Sequence, residues 1–194
     1  MVEECINLPS ASTAFFYCKY QDDQRNTFLA VSRAILTQLV TQNQELLPYL
    51  YDKCLSSGQP SLVSSKLCEE LLETMLTTIA NTYIILDGLD ECGLTERKAI
   101  ISFFTSIIEN NATPGSIRGL FVSQNENDIK KMLRGASAVR LEENDNKSDI
   151  KGYATHWSLK IQERFKLSPD EQKYIVLAVC ERAEGAQTLT IFDG

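Results

Sequence analysis

Residues 83–92 read Tyr83-Ile84-Ile85-Leu86-Asp87-Gly88-Leu89-Asp90-Glu91-Cys92. Four apolar, β-prone residues followed at once by an acid are typical of a strand buried on both faces, as in a parallel sheet. Such a strand would deliver Asp87 to the carboxyl edge of the sheet, where open α/β sheets place their ligands. A carboxylate there can hold Mg²⁺ beside the phosphates of a nucleotide. Asp90 and Glu91 lie just beyond, and we expect them to orient water or to bind the outer shell of the metal.

A plainer interpretation of the same residues is a buried strand that ends in an acidic turn without any ligand. Four apolar residues and one Asp would favour that interpretation. The complete string from Tyr83 to Cys92 instead favours a Walker B segment, the strand and acidic turn beside the nucleotide in P-loop NTPases.

Apolar patterning elsewhere in the chain alternates between strand and helix. We expect strands at 14–20, 83–86, 119–122 and 138–141. At least one helical segment separates each strand from the next, which implies an α/β domain with a mainly parallel sheet of about four strands.

Two amphipathic helices follow the last of these strands, at 149–166 and 169–183. Their apolar residues would be exposed if the helices stood alone. We therefore expect the helices to pack on each other or on the sheet through Tyr153, Trp157, Ile161, Tyr174 and Ile175.

The net charge and the distribution of cysteines exclude several classes of binding partner. The net charge is −7, whereas nucleic-acid binding needs a basic face. No apolar run approaches the roughly 20 residues that span a bilayer. The six cysteines are scattered without a Cys-x-x-Cys pair, so we expect reduced thiols and no metal site. These features favour a cytoplasmic protein with protein partners, and with neither nucleic acid nor membrane as a partner.

The string from Tyr83 to Cys92 resembles the Walker B signature of NACHT NTPases, which belong to the STAND class of P-loop NTPases. It is most similar to fungal signalling proteins with a nephrocystin 3-like N-terminal domain. Phe15 to Tyr20 and Asp149 to Tyr153 resemble further elements of that family. The resemblance predicts a partial NACHT domain at 14–185, an unstructured lead-in at 1–13 and a non-matching tail at 186–194.

The resemblance implies a nucleotide switch that uses ATP and Mg²⁺, yet part of the required machinery is not encoded in these 194 residues. A P-loop needs Gly-x-x-x-x-Gly-Lys-Ser/Thr, and no Gly-Lys dipeptide occurs. The first strand and helix of the family are not matched either. We therefore expect an incomplete P-loop NTPase-like parallel sheet with flanking helices and C-terminal helices. Strands 119–122 and 138–141 would be separated by a gap or pair directly. Gln124 stands where the family often has a phosphate-sensing arginine.

The functional expectation is a degenerate interaction module without ATP hydrolysis. We expect no catalytic residue, no bound cofactor and weak or absent nucleotide binding, with Asp87, Asp90 and Glu91 as a Walker B remnant. One alternative is an ATP-dependent signalling switch whose P-loop is missing only from this gene model. Another is an unstable fragment with no function of its own.

Overall fold

The sheet is built around β2 (Thr82–Asp87), whose neighbours are both parallel to it. A computed structural model describes residues 5–8, 10–59, 61–113, 116–141, 143–183 and 189–193. The chain divides into two compact units, one comprising Met1–Val139 with Thr190–Gly194 and the other Arg140–Leu189. No helix in the described part of the chain is long and apolar enough to cross a membrane.

Strands and helices alternate along the first unit, as the sequence predicts. The elements in chain order are β1 (Ser12–Tyr17), α1 (Phe28–Gln42), α2 (Leu47–Ser56), α3 (Ser65–Thr78), β2, α4 (Leu94–Glu109), β3 (Ile117–Gln124), α5 (Asn127–Met132) and β4 (Ser137–Leu141). A further strand, β5 (Leu189–Asp193), follows the second unit.

The strand order in the sheet is β1-β2-β3-β5-β4. In the parallel ladders Ala14 pairs with Ile84, and Ile84 pairs with Gly119. The expected α/β fold with a parallel sheet and flanking helices is therefore confirmed.

Two details of the sheet differ from expectation. Four strands were expected, with a gap or a direct contact between 119–122 and 138–141, whereas β5 lies between β3 and β4. The β-prone run Leu-Thr-Ile-Phe can supply this strand, although it matches nothing in the family pattern. The first strand also begins earlier than expected, at Ser12 rather than Ala14, because Ser12 and Thr13 continue the ladder opposite Thr82 and Tyr83.

Helix α1 packs on β1 and contacts α3 and α4, while α4 packs on β3 and contacts α5. In α1, Val31, Ile35 and Leu39 lie at positions i, i+4 and i+8 and are buried in the core, as expected of an amphipathic helix. The fully buried apolar residues of this unit include Val31, Ile35, Leu39, Leu72, Leu76, Ile84, Leu86, Ile100 and Phe104. Burying each larger side chain of this kind contributes about 1.5–3 kcal/mol, so these contacts dominate the stability of the unit.

The outer edge of β1 is covered by two glutamine side chains of α1. Gln38 accepts a hydrogen bond from the Phe15 backbone N–H (3.1 Å) and donates to the Phe15 carbonyl (2.8 Å). Gln42 does the same for Thr13, at 2.9 and 2.8 Å. The two amides therefore act as a partner strand and satisfy backbone groups that an exposed edge would leave open to aggregation.

The second unit contains α6 (Glu143–Phe165) and α7 (Pro169–Ala183), which pack on each other. The predicted packing of the two helices on each other is confirmed. Of the residues predicted to form the contact, Ile161 and Ile175 are partly buried, whereas the aromatic residues Tyr153, Trp157 and Tyr174 are exposed.

Small residues occupy the most deeply buried positions described in α6. Ala154 and Ser158 are buried, and the Ser158 hydroxyl accepts a hydrogen bond from Nε2 of Gln172 on α7 at 2.6 Å. Small side chains at these positions let the two helices approach closely, and the larger aromatic side chains are left on the outer faces.

Candidate functional site at the end of β2

Asp87 ends β2 at the carboxyl edge of the sheet, as the sequence predicts. It pairs with Tyr17 on one side and with Val122 on the other. The Asp87 carbonyl accepts a hydrogen bond from the Cys18 N–H (2.8 Å), and the next residue, Gly88, donates to the Val122 carbonyl (3.0 Å). The backbone at Asp87 is therefore held from both neighbouring strands.

Gly88 turns the chain sharply at this point. Its φ of 75° lies in the left-handed region, which glycine adopts at little steric cost. A Cβ atom here would lie 3.2 Å from the Cys18 carbonyl oxygen. A short 3₁₀ turn, Leu89–Glu91, follows and buries Leu89 completely.

The two acids of this turn tie together the strands on either side of β2. Asp90 Oδ1 accepts a hydrogen bond from the Gln124 backbone N–H at 2.9 Å, at the end of β3. Glu91 Oε2 accepts one from the Tyr20 backbone N–H at 3.0 Å, just beyond β1. Charge-assisted bonds of this kind are stronger than neutral ones, so both carboxylates stabilise the edge of the sheet.

The Asp87 side chain is half-buried, and this position affects its ionisation. Burial raises the pKa of Asp87 above the usual range for a carboxyl group, because desolvation disfavours the charged form. The negative charge of Asp90 raises this pKa as well, whereas the hydrogen bond from the Gly88 backbone N–H lowers it. A nearby positive charge would stabilise the charged form of this carboxylate.

Arg97 of α4 donates hydrogen bonds to the backbone of the turn, and it was not among the site residues predicted from the sequence. It is only 7% exposed. Its Nη1 contacts both carboxylate oxygens of Asp128 at 3.0 and 3.1 Å, and its Nη2 donates to the carbonyls of Asp90 (2.6 Å) and Cys92 (3.2 Å). The signal in the sequence is a charged residue at the i−3 position from Ile100, within an apolar stripe.

The thiols of Cys18 and Cys92 influence each other's ionisation beside this turn. The Cys92 thiol raises the pKa of Cys18, with burial acting in the same direction. The Cys18 thiol lowers the pKa of Cys92, helped by the nearby Arg97 guanidinium. Cys18 directly follows β1, and Cys92 directly follows the acidic turn.

Asp87, Asp90 and Glu91 are therefore brought to one edge of the sheet, but with different surroundings. The carboxylates of Asp90 and Glu91 accept hydrogen bonds from backbone N–H groups, and Asp87 makes its described hydrogen bonds through its backbone and with the Gly88 N–H. Within the described ranges no cluster of three or more His, Cys, Asp or Glu side chains has the arrangement of a metal site. The assignment of these three residues to Mg²⁺ or nucleotide stays a prediction.

Comparison with known proteins identifies the family. The family described as nephrocystin 3, N-terminal, matches residues 1–124, which is more than half of the chain. The chain belongs to the nephrocystin 3 N-terminal family. The matched region contains β1, β2, β3 and the whole acidic turn, so the candidate site lies inside the part that defines this membership.

One relative of this nephrocystin 3 N-terminal protein is the vegetative incompatibility protein HET-E-1 of Podospora anserina. It is 25% identical over 134 residues, which are 66% of this chain and 10% of the relative. The chain thus spans about a tenth of the length of that relative. No solved structure matches. Together, the family match and this fungal relative identify a NACHT-type module.

Proposed function

We propose that this chain is a NACHT-type interaction module that acts through protein–protein contact and does not hydrolyse ATP. Support comes from the use of Asp90 and Glu91, which were expected to orient water or to bind a metal. Each carboxylate accepts a hydrogen bond from the backbone of a neighbouring strand end, which is a structural use of the acidic turn.

The charges around Asp87 suit a hydrated cation better than a nucleoside triphosphate. Carboxylate oxygens are good Mg²⁺ ligands. Phosphate binding also needs positive charge, and the guanidinium of Arg97 is already engaged by Asp128 and by two carbonyls. Without the lysine and backbone amides of a P-loop, three acids at one edge would repel a nucleotide.

Exposed apolar side chains on α6 and α7 support the contact role. Leu159, Phe165 and Leu177 are 52%, 63% and 60% exposed. Large apolar residues grouped on one helical pair are typical of a protein-binding surface. HET-E-1 is named for vegetative incompatibility, and we propose that this chain makes its contacts in a process of a similar kind.

The test is ATP binding and turnover by residues 1–194. Calorimetry with Mg²⁺ and ATP should give no dissociation constant tighter than about 1 mM, equivalent to about −4 kcal/mol, and phosphate release should equal the background. Asp87→Asn should behave as the unmodified chain does in both assays. Asp52→Asn, on the exposed face of α2, is the control with the same charge change.

The contrary result is micromolar binding with turnover that Asp87→Asn abolishes and Asp52→Asn leaves intact. Sedimentation with and without ATP separates the two functions further. An interaction module should keep one mass distribution, because a ligand without differential affinity shifts no equilibrium. A change of mass on addition of ATP would favour the ATP-dependent switch instead.

A further inference from the structure

We propose that the outer edge of β1 binds the side-chain amide of a glutamine from a protein partner, at the backbone of Tyr17. The inference deepens the proposed function and rests on it, because it names one surface for protein–protein contact. Its basis is a row of hydrogen bonds along β1 in which one position has no partner from the described part of the chain.

Backbone groups of β1 alternate between its two edges. The Ser12 N–H donates to the Asn81 carbonyl at 2.9 Å, and the Cys18 N–H donates to the Asp87 carbonyl at 2.8 Å. The even-numbered residues of β1 therefore direct their backbone groups towards β2. Because successive residues of a strand point these groups in opposite directions, the odd-numbered residues direct theirs to the outer edge.

The outward positions on either side of Tyr17 are already paired within the chain. Glutamine side chains of α1 pair both backbone groups of Thr13 and of Phe15, and the Lys19 N–H donates to the Arg25 carbonyl at 3.0 Å. Tyr17 is 50% exposed, and the described part of the chain supplies no hydrogen-bond partner for its N–H or its carbonyl. The open position therefore has room for a single amide and not for a whole added strand.

The spacing of α1 explains why this position stays open. Two residues of a strand advance by about 6.6 Å, and four residues of an α-helix advance by about 6 Å. The step from Thr13 to Phe15 is therefore matched by the step from Gln42 to Gln38. The next step along the helix reaches Ala34, whose methyl group is too short to contact the strand backbone and cannot form hydrogen bonds.

A groove of about 480 Å³ lies beside Ala34 and is also lined by Phe16, the residue before Tyr17. Asp23 and Arg33 place charges of opposite sign on its walls, and no ion pair joins these two residues in the described structure. Walls of this kind favour a polar, uncharged group over an apolar one. A carboxamide is uncharged and supplies both the acceptor and the donor that an open backbone position needs.

Glutamine is the side chain that the protein itself uses for this purpose. Gln38 accepts a hydrogen bond from the Phe15 N–H at 3.1 Å and donates to the Phe15 carbonyl at 2.8 Å. A glutamine of the partner would do the same at Tyr17 and would extend the row of amides by one. Two neutral hydrogen bonds give little affinity by themselves, so the glutamine would act together with other contacts of the partner.

The first measurement is an NMR titration of isotope-labelled residues 1–194 with N-acetylglutamine N-methylamide. The Tyr17 amide signal should shift, with a dissociation constant of about 1–10 mM. N-acetylmethionine N-methylamide is the matched probe, because it has a similar shape and no side-chain amide. It should bind about fivefold more weakly or worse. Equal binding of the two probes, or no shift at Tyr17 up to about 50 mM, would overturn the proposal.

Ala34→Gln tests the position from within the chain, because it supplies the missing amide. Without a probe, hydrogen exchange of the Tyr17 N–H should slow by about threefold or more, and the glutamine probe should no longer shift its signal. Ala34→Met is the control at the same position, since it fills similar space without a donor or acceptor. Its Tyr17 exchange should stay within about twofold of that of the unmodified chain.

Unchanged exchange in Ala34→Gln, or equal slowing in both variants, would count against the open amide position. If Ala34→Gln does not fold, the probe titration of the unmodified chain decides the question alone. ATP takes part in neither measurement. A negative result therefore removes the Tyr17 contact and leaves the outcome of the ATP assays unchanged, whereas ATP turnover would contradict the proposed function and not this contact.

Discussion

Gly88 is the residue on which the shape of the acidic turn depends. It combines a left-handed backbone with close approach to the Cys18 carbonyl. We predict that Gly88→Ala lowers the free energy of unfolding by about 1–2 kcal/mol, because alanine adds both strain in this conformation and a tight contact. Urea denaturation checks the value.

Gly58 provides the matched control, since its φ is 68° but nothing lies within 4 Å of the Cβ position. Gly58→Ala should lose only the conformational part, about 1 kcal/mol. Equal losses at the two glycines would mean that the contact with Cys18 contributes nothing.

Sequence alone gave the position of the site but not the partners of its side chains. The prediction of a buried strand at 83–86 with Asp87 at its end is confirmed. It could be made from the sequence because an apolar run of this length has few other structures open to it. The hydrogen bonds that Asp90 accepts from Gln124 and that Glu91 accepts from Tyr20 join residues 34 and 71 positions apart. Local patterns contain no information on such distant pairs.

At the scale of elements, the pairing of α6 with α7 depends on small residues. We predict that Ala154→Leu lowers the free energy of unfolding by about 1–3 kcal/mol, because the buried position has no room for three more carbons. Trp157→Ala should lower it by about 1 kcal/mol or less, since Trp157 is 45% exposed and surface changes have small effects. Thermal unfolding followed by circular dichroism gives both values.

A larger loss for Trp157→Ala than for Ala154→Leu would restore the contact stripe that the aromatic pattern predicted. The aromatic part of that prediction was wrong because α6 has two candidate faces for the contact. Tyr153 and Trp157 form one, and Ala154 and Ser158 form the other. Hydrophobicity predicts that the aromatic face is buried against α7. Close packing of the two helices instead buries the face with the small residues.

Helix α1 contains a further feature that periodicity could not reveal. Gln38 and Gln42 lie one turn apart and appear as part of a polar face. Their role depends on the spacing of backbone groups on β1, because alternate residues of a strand point their N–H and C=O groups the same way. The side-chain amides match that spacing at Thr13 and Phe15.

At the scale of the whole molecule, β5 joins β4 to the rest of the sheet. A strand with neighbours on both sides does not tolerate proline. We therefore predict that Ile191→Pro speeds hydrogen exchange in β3 and β4 by about tenfold or more, while the β1–β2 ladder keeps its protection. Exchange measured by mass spectrometry of peptic fragments resolves the two regions.

Ile191→Val is the control, because valine keeps the β-branched shape and the backbone N–H. It should leave hydrogen exchange unchanged in β1, β2, β3 and β4. Equal exchange rates in the proline variant and the unmodified chain would show that β5 does not contribute to the ladder.

The number and order of strands were the least predictable part of the fold. Four strands followed from the alternation of strand and helix patterns, and the family resemblance predicted a gap or a direct pairing between strands 119–122 and 138–141. The fifth strand lies in a segment of nine residues, 186–194, that resembles no family element. Its place in the sheet depends on backbone N–H and C=O groups of strands that lie much earlier in the sequence. A local sequence pattern contains no information on those groups.

The position of β5 in the sheet affects the chain while it is being synthesised. A ribosome adds about 5–20 residues per second, so β3 is synthesised several seconds before the strand that lies beside it. During that interval one side of β3 has no partner from its own chain. An unpaired strand edge attracts other chains, and chaperone binding to this region would then be most useful between the synthesis of Gln124 and that of Asp193.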